Sequence, residues 1–377
     1  MARVHAVTGV YATALTTATI TLTFLALEEG LELGPVALLT ALSALTQVLV
    51  RLPLGLVLSR IPDRTLVISA VATLALSLGA ALALPGVGGL ALAQVLLGAS
   101  RAVFWTAGQT QVIRLSPNAA RGMSHNMLIT GLGNAIGPVL AGSAAHTAAE
   151  AGAWVALGLS GACIALSFTL TRLPVFNPPE RPDAGRVGFR FGVLMASSGS
   201  FASGIWHVSM TALAPAILAD ARWTELAIGA VLGLTNAVFL VGVLLSGRAS
   251  ARAFALVVVV GSALVAIGVG CLALAGAVPA VAVAALLASG AGAGALMTLA
   301  PALASDAVHP EERGQAVVVT GTYRAGALLG GPLLVWGAGL ALPFGPVMLA
   351  LGALAGLPAI VMWLLRPRTP PVSDGRA

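Results

Sequence analysis

The sequence predicts an all-α polytopic membrane protein, with about 12 transmembrane helices in two pseudo-symmetric six-helix bundles. Three observations predict it: abundant apolar residues with very little charge, their recurrence in runs of membrane-spanning length, and a repeat at half the chain length. Of the 377 residues 58% are hydrophobic and 8% are charged, against roughly 25% charged in a soluble domain. A mean hydropathy of +0.99 leaves more apolar surface than globular cores can hide, so lipid must cover the remainder.

A spanning helix needs about 20 mainly apolar residues, and the chain divides into such runs at short punctuation of Gly, Pro or charge. In the first half the spans read Val4–Leu27, Val36–Leu58, Leu66–Leu84, Val87–Ile113, Met123–Ala145 and Ala151–Leu173. The second half reads Phe191–Leu218, Leu226–Leu245, Ala253–Leu274, Val278–Leu303, Ala316–Leu340 and Phe344–Leu365. Helices are forced because hydrocarbon cannot satisfy backbone hydrogen bonds, and the runs are too long for barrel strands. The domains follow: bundle 1–173, linker 174–190, bundle 191–365 and tail 366–377.

Positive charge is retained on the cytoplasmic side of a membrane. Arg3, Arg60, Arg64, Arg114, Arg121, Arg172, Arg190, Arg248, Arg252, Arg313 and Arg366 fall on one side of the alternating spans. Arg222 alone falls opposite, where Glu28, Glu29, Glu32, Glu150, Asp220 and Glu225 also lie. Both termini and the proline-rich linker around Asn177–Pro182 are therefore expected in the cytoplasm of a multi-pass cell membrane protein. The halves echo one another: Pro117–Gly122 precedes the fifth span and His309–Gly314 the eleventh, their Arg-Gly pairs offset by 313 − 121 = 192 residues.

Composition also excludes classes. A pI near 10.9 suggests nucleic acid only where a contiguous basic patch meets water, and none is present, so no nucleic-acid partner is expected. All 19 basic residues are arginine, so a P-loop, which needs its lysine, is absent. Cys163 and Cys271 sit in apolar stretches without a Cys/His cluster, which gives no disulfide framework, metal site or cofactor. The amino terminus enters a long apolar run without a small-residue cleavage site, favouring an uncleaved first span over a signal peptide.

Gly55, Ser59, Arg60, Pro62, Asp63 and Arg64 follow the second span in the pattern of a Gly/Asp/Arg loop, with Ser59 in place of the acid. Gly133, Gly137, Pro138 and Gly142 form a glycine-proline pattern in the fifth span, echoed by Gly326, Gly330, Gly331 and Pro332 in the eleventh. Glycines four apart let helices approach closely, and an interior proline bends a helix. With these patterns the whole chain resembles the major facilitator superfamily. The resemblance implies secondary transport by alternating access: the loop latches the halves, the glycine-proline motif is associated with antiporters, and the first and seventh spans line the cavity. Gln94 stands where that family often carries an arginine, and Arg101, seven residues on, returns to nearly the same face.

Arg101 and Arg324 lie mid-span, where a charge costs about 2.5–3.5 kcal/mol on insertion scales, while no Asp or Glu lies mid-span. They either face a wet cavity and bind an anionic solute through the guanidinium fork, or bond carbonyls and amide dipoles at helix contacts. Arg51, nearer the cytoplasm, reads as a snorkelling or latch-supporting side chain. Ser200, Ser203, Gly204, His207 and Thr211 share one face of the seventh span; with Tyr11 and Thr19 of the first they are candidate cavity residues. Helix-to-helix hydrogen bonding is the alternative. Trp105 and Trp206 either stack on a solute or fill volume. Glu28, Glu29, Asp220 and His207 are the candidate proton-coupling groups.

The expected function is that of a monomeric, non-enzymatic carrier exporting a small organic anion or amphipathic metabolite. An inside-negative potential favours anion exit by about 2.3 kcal/mol per charge per 100 mV. Proton-coupled efflux of neutral or cationic drugs is the rival; a membrane enzyme or a non-transporting scaffold would be of another class.

Overall fold

The computed structural model describes residues 1–58, 60–116, 119–175, 187–246, 254–308 and 313–365, which contain helices and connecting turns and no strand. The helices of the first half are α1 (Ala2–Glu28), α2 (Leu33–Leu58), α3 (Asp63–Ala83), α4 (Gly86–Leu115), α5 (Ala119–Ala145) and α6 (Ala151–Ser167). In the second half they are α7 (Phe191–Asp220), α8 (Glu225–Ser246), α9 (Phe254–Cys271), α10 (Pro279–Asp306), α11 (Arg313–Gly339) and α12 (Phe344–Leu364). Ten are long and apolar enough to cross a membrane. The other two are α6, apolar but 17 residues long, and α11, which carries Arg324 in its interior.

The sixth span was expected to reach Leu173, but the helix stops at Ser167. Side chains of the neighbouring helices take the carbonyls that follow: Arg64 donates to Phe168 O at 2.6 Å, Arg3 to Thr169 O at 3.1 Å, Gln111 to Thr171 O at 3.1 Å, and Arg114 to Pro174 O at 2.8 Å. Cations suit the negative end of a helix dipole. This arginine collar fixes the chain in a non-helical path before the linker, of which residues 176–186 lie outside the described ones.

A second departure is the π turn Ser209–Leu213 inside α7. Pro215 follows it; a helical proline has no N–H for the carbonyl four residues back, here that of Thr211, and its ring crowds it. A wider turn relieves that crowding.

The two bundles repeat in fine detail. After α1, Gly30 has φ 79°, and Leu31 N–H bonds Ala26 O while Gly30 N–H bonds Leu27 O, a left-handed helix stop. After α7, Arg222 has φ 65°, with Trp223 N–H on Leu218 O and Arg222 N–H on Ala219 O. The two stops are 222 − 30 = 192 residues apart, the same offset as the Arg-Gly pairs. A side chain at positive φ is strained where glycine is not. Arg222→Gly is therefore expected to raise thermal stability in detergent by about 0.5–1 kcal/mol, read as an upward shift in melting temperature.

Depth distinguishes the central helices: the most apolar windows of α1 and α7 are each 89% buried, against 39–50% in the other eight spans. These two form the middle of the molecule, flanked by inter-bundle contacts of α5 with α8 and α2 with α11. At the α5–α8 crossing glycines replace side chains. A Cβ on Gly229 would meet the Pro138 carbonyl at 2.5 Å and Gly142 Cα at 3.0 Å; on the α1 side, one on Gly133 or Gly137 would meet Ala12 or Thr16 Cβ at 2.8 Å.

The echo in α11 does not repeat this role. Among the described residues Gly326 and Gly330 have nothing within 4 Å of an added Cβ, and Gly331 meets side-chain atoms of Ile205 and Val208 at 3.3 Å and of Leu351 at 3.8 Å. Gly229→Ala should thus lower stability by about 1–3 kcal/mol through overpacking. Gly330→Ala should leave it unchanged or raise it by up to about 1 kcal/mol through helix propensity. Thermal melts of the two purified variants check this pair.

Candidate functional site

At mid-depth the bundles meet around a polar pocket of about 10 Å³, about the space of one water. Thr19 of α1, Thr40, Ser43 and Gln47 of α2, and Gln94 and Arg101 of α4 form its first-bundle wall; His207, Val208 and Thr211 of α7 and Leu328 of α11 form the other. Ala44, Val208 and Leu328 also touch one another as a small apolar cluster from three helices. The sequence-predicted Arg101, His207, Gln94 and Thr19 are all brought together here.

One bond ties the walls: Arg101 Nη2 lies 2.7 Å from His207 Nε2. A guanidinium has donors and no acceptor. His207 Nε2 must therefore accept, which fixes its proton on Nδ1 and makes the imidazole neutral. Thr211 Oγ1 of the same helix donates to the His207 backbone carbonyl at 2.8 Å.

Two further arginines adjoin this tie. Gln47 and Leu328 line the pocket, and Arg51 and Arg324 stand one turn from them, about 6 Å along their helices. α2 runs toward the end that bears the amino terminus and α11 away from it, so both arginines lie on that side of the pocket. Arg51, Arg101 and Arg324 are within electrostatic reach of one another. Nε of Arg51 and Nε of Arg324 are buried without a hydrogen-bond partner among the described residues. Gly204 of α7 seats Arg324 closely, since a Cβ there would meet its carbonyl at 2.8 Å.

Arg51, read from the sequence as a snorkelling or latch-supporting side chain, has its Nε buried beside the pocket. Its signal was present: Thr40, Ser43, Gln47 and Arg51 recur at i, i+3, i+7 and i+11, one helix face, and the first three are buried. Apolar composition around the stripe masked it.

Other candidates lie elsewhere. Tyr11 does not line the pocket: it is fully buried, stacked on Phe104 at 3.4 Å between centroids, with its hydroxyl 2.8 Å from Ser100 Oγ. Ser100 donates its own proton to Ala70 O at 2.7 Å, so Tyr11 is the donor. Trp105 packs edge-on against Tyr11 and Phe104, and Trp206 donates to Ser289 Oγ at 3.0 Å while stacking on Phe239; both fill volume. Ser203 Oγ donates to Ser200 O at 2.8 Å, and both serines are buried away from the pocket.

At the end opposite the termini, a vestibule of about 740 Å³ is rimmed by Glu32, Asp220 and Arg222 and floored by apolar side chains such as Ile217 and Trp336. The acidic proton-coupling candidates belong to this end, remote from Arg51, Arg101 and Arg324. Glu28, Glu29 and Asp220 are exposed, and Glu29 accepts from Gly86 N–H at 3.3 Å, satisfying a free donor at the start of α4.

At the termini end, Gly55 lies in α2, Arg60 is exposed and Ser59 lies outside the described residues. Asp63, 1% exposed, forms a 2.8 Å ion pair with Arg114 of α4, and Arg64 lies over the Phe168 ring. These partners belong to the first bundle, so the contacts of Asp63 and Arg64 fasten α3, α4 and α6 together rather than latch the halves. No group of three or more His, Cys, Asp or Glu among the described residues is placed to hold a metal.

The family comparison agrees with this architecture. The sequence matches the Major Facilitator Superfamily profile over residues 4–194 and again over 194–377, dividing the chain where the structure repeats. Comparison with curated proteins finds no match. Among solved structures, a POT family transporter in complex with thioalcohol-conjugated peptide is similar, with TM-score 0.75 and 12% identity over 96% of this chain and 95% of that one. Another, a POT family transporter with 5-aminolevulinic acid, has TM-score 0.79 and 11% identity at the same coverage. At such identities the likeness concerns the fold, whereas the profile spans the whole sequence: the chain belongs to the major facilitator superfamily, as a multi-pass, non-enzymatic transporter.

Proposed function

We propose that the protein is a secondary active carrier that exports a small organic anion or amphipathic metabolite by alternating access. The observation that carries this reading is the convergence of Arg51, Arg101 and Arg324 around the small pocket between the bundles, which no carboxylate among the described residues lines. Uncompensated cations in a low-dielectric site favour an anion as their partner.

The polarity of the path supports export. Both termini and the linker are read as cytoplasmic, in the cell membrane, so an anion leaving the cytoplasm meets Arg51 and Arg324 before the pocket. On the far side it enters a vestibule rimmed by two acids, Glu32 and Asp220, and one base, Arg222, which disfavours its return. Bundle rocking needs close but apolar joints, as at the α5–α8 glycine crossing, and one chain holds all the parts, so the carrier works as a monomer in the bilayer.

Proton-coupled drug efflux is the second reading, favoured by one observation, the neutral His207 that Arg101 engages. Counterflow in proteoliposomes against a panel of radiolabelled anions and cations separates the two. Arg324→Ala is expected to reduce anion counterflow at least tenfold. Cation counterflow that persists undiminished in Arg324→Ala, with no anion carried by the parent protein, would sink the anion reading.

A further inference from the structure

We propose that Arg51, Arg101 and Arg324 together form a site for a dianionic solute, a dicarboxylate or a phosphate monoester, and that His207 is the acceptor such a solute displaces from Arg101. This rests on the anion-carrier reading and narrows its substrate class.

Three features point to it. The first is charge count: three guanidiniums from α2, α4 and α11 lie within electrostatic reach of each other, and no carboxylate among the described residues lines the pocket. A monoanion leaves two of these charges uncompensated, whereas a dianion leaves one. The second is unused donors: the buried Nε atoms of Arg51 and Arg324 have no partner among the described residues, and guanidinium forks match carboxylate and phosphate oxygens two at a time. The third is the pocket's size and rim. At about 10 Å³ it admits no organic solute while Arg101 holds His207, so binding must separate that pair. Gln47, Gln94, Thr40 and Ser43 on the wall then meet the uncharged part of the solute.

The displacement carries a mechanical consequence. Arg101 belongs to the first bundle and His207 to the second; Arg51 and Arg324 are likewise divided between them. A dianion bridging Arg51 and Arg101 to Arg324 replaces a direct tie between bundles by one that runs through the solute. Bundle movement is then linked to occupancy.

The test is calorimetric titration of the purified full chain at pH 7.5 and constant ionic strength with succinate, glycerol phosphate and, as the monoanion of succinate's size, butyrate. Succinate or glycerol phosphate is expected to bind at least tenfold more tightly than butyrate, and the tighter of the two identifies carboxylate or phosphate as the group read. Arg51→Gln should remove that advantage by weakening succinate and glycerol phosphate at least tenfold more than butyrate, in protein that still elutes as a single species. His207→Ala should tighten dianion binding severalfold, because Arg101 no longer surrenders an acceptor; a merely structural histidine would weaken it. Equal affinity for butyrate and the dianions, or equal weakening of all three by Arg51→Gln, overturns the dianion site while the anion carrier stands. Binding of cationic dyes with no binding of any anion overturns both.

Discussion

Arg101→Ala is expected to lower the transport rate at subsaturating solute by about 10- to 150-fold, the equivalent of one charged hydrogen bond of about 1.5–3 kcal/mol. The side chain has two tasks that alanine cannot share. It supplies a cation at the pocket wall and it donates to His207 across the bundle interface at 2.7 Å. Arg101→Lys keeps the charge but loses the planar fork, so it should recover part of the rate and little of the selectivity among anions. Initial rates in proteoliposomes, corrected for inserted protein, measure both. A variant that transports at the parental rate would remove Arg101 from the solute path and reassign it to helix packing.

The second large effect is expected at the termini end, on stability rather than transport. Asp63 is 1% exposed and Arg114 19% exposed, with 2.8 Å between Arg114 Nη1 and Asp63 Oδ2. Removing one member of a fully buried pair costs about 3–5 kcal/mol; Arg114 is partly exposed and keeps its bond to the Pro174 carbonyl, so the loss here falls toward the lower end of that range. Asp63 also sits in the first turn of α3, where a carboxylate is favoured by the helix dipole by about 0.3–1 kcal/mol. Asp63→Ala should therefore lower the melting temperature of the purified protein far more than Arg60→Ala, whose side chain is exposed. Removing both partners, as in Asp63→Asn with Arg114→Gln, should recover part of the loss because no charge is then stranded. Additive losses in the double variant would mean the two residues act through separate contacts.

The fate of the loop motif shows why some of the site was legible and some was not. Its residues were visible as a string, but a string does not state its partners. Asp63 found Arg114, 51 residues away in sequence, and Arg64 found the Phe168 carbonyl; both contacts lie within one bundle. Likewise the glycine-proline patterns of α5 and α11 look alike on paper. Among the described residues only the first is pressed against neighbouring backbones, because α8 crosses α5 at Gly229 while nothing comes within 4 Å of a Cβ at Gly330.

Arg51 gives the same lesson in the other direction. Its polar stripe of Thr40, Ser43 and Gln47 has helical spacing, yet spacing alone does not say whether a face meets lipid, a neighbour or a pocket. Tyr11, conversely, looked like a cavity residue by its hydroxyl and its helix; stacking on Phe104 turned it into the first bundle's core.

What the sequence determined by itself was the solvent, the helices and their repetition. Hydrocarbon leaves a backbone no other partner than its own helix, so apolar runs of about 20 residues set the rods, and the half-chain repeat set the two bundles. The sixth rod's early end was beyond its reach, since arginines from α1, α3 and α4 impose it. Only the tertiary structure decided which side chains converge. The tie between Arg101 and His207 spans 106 positions, and a contact at that separation depends on how two bundles dock, which no local period encodes.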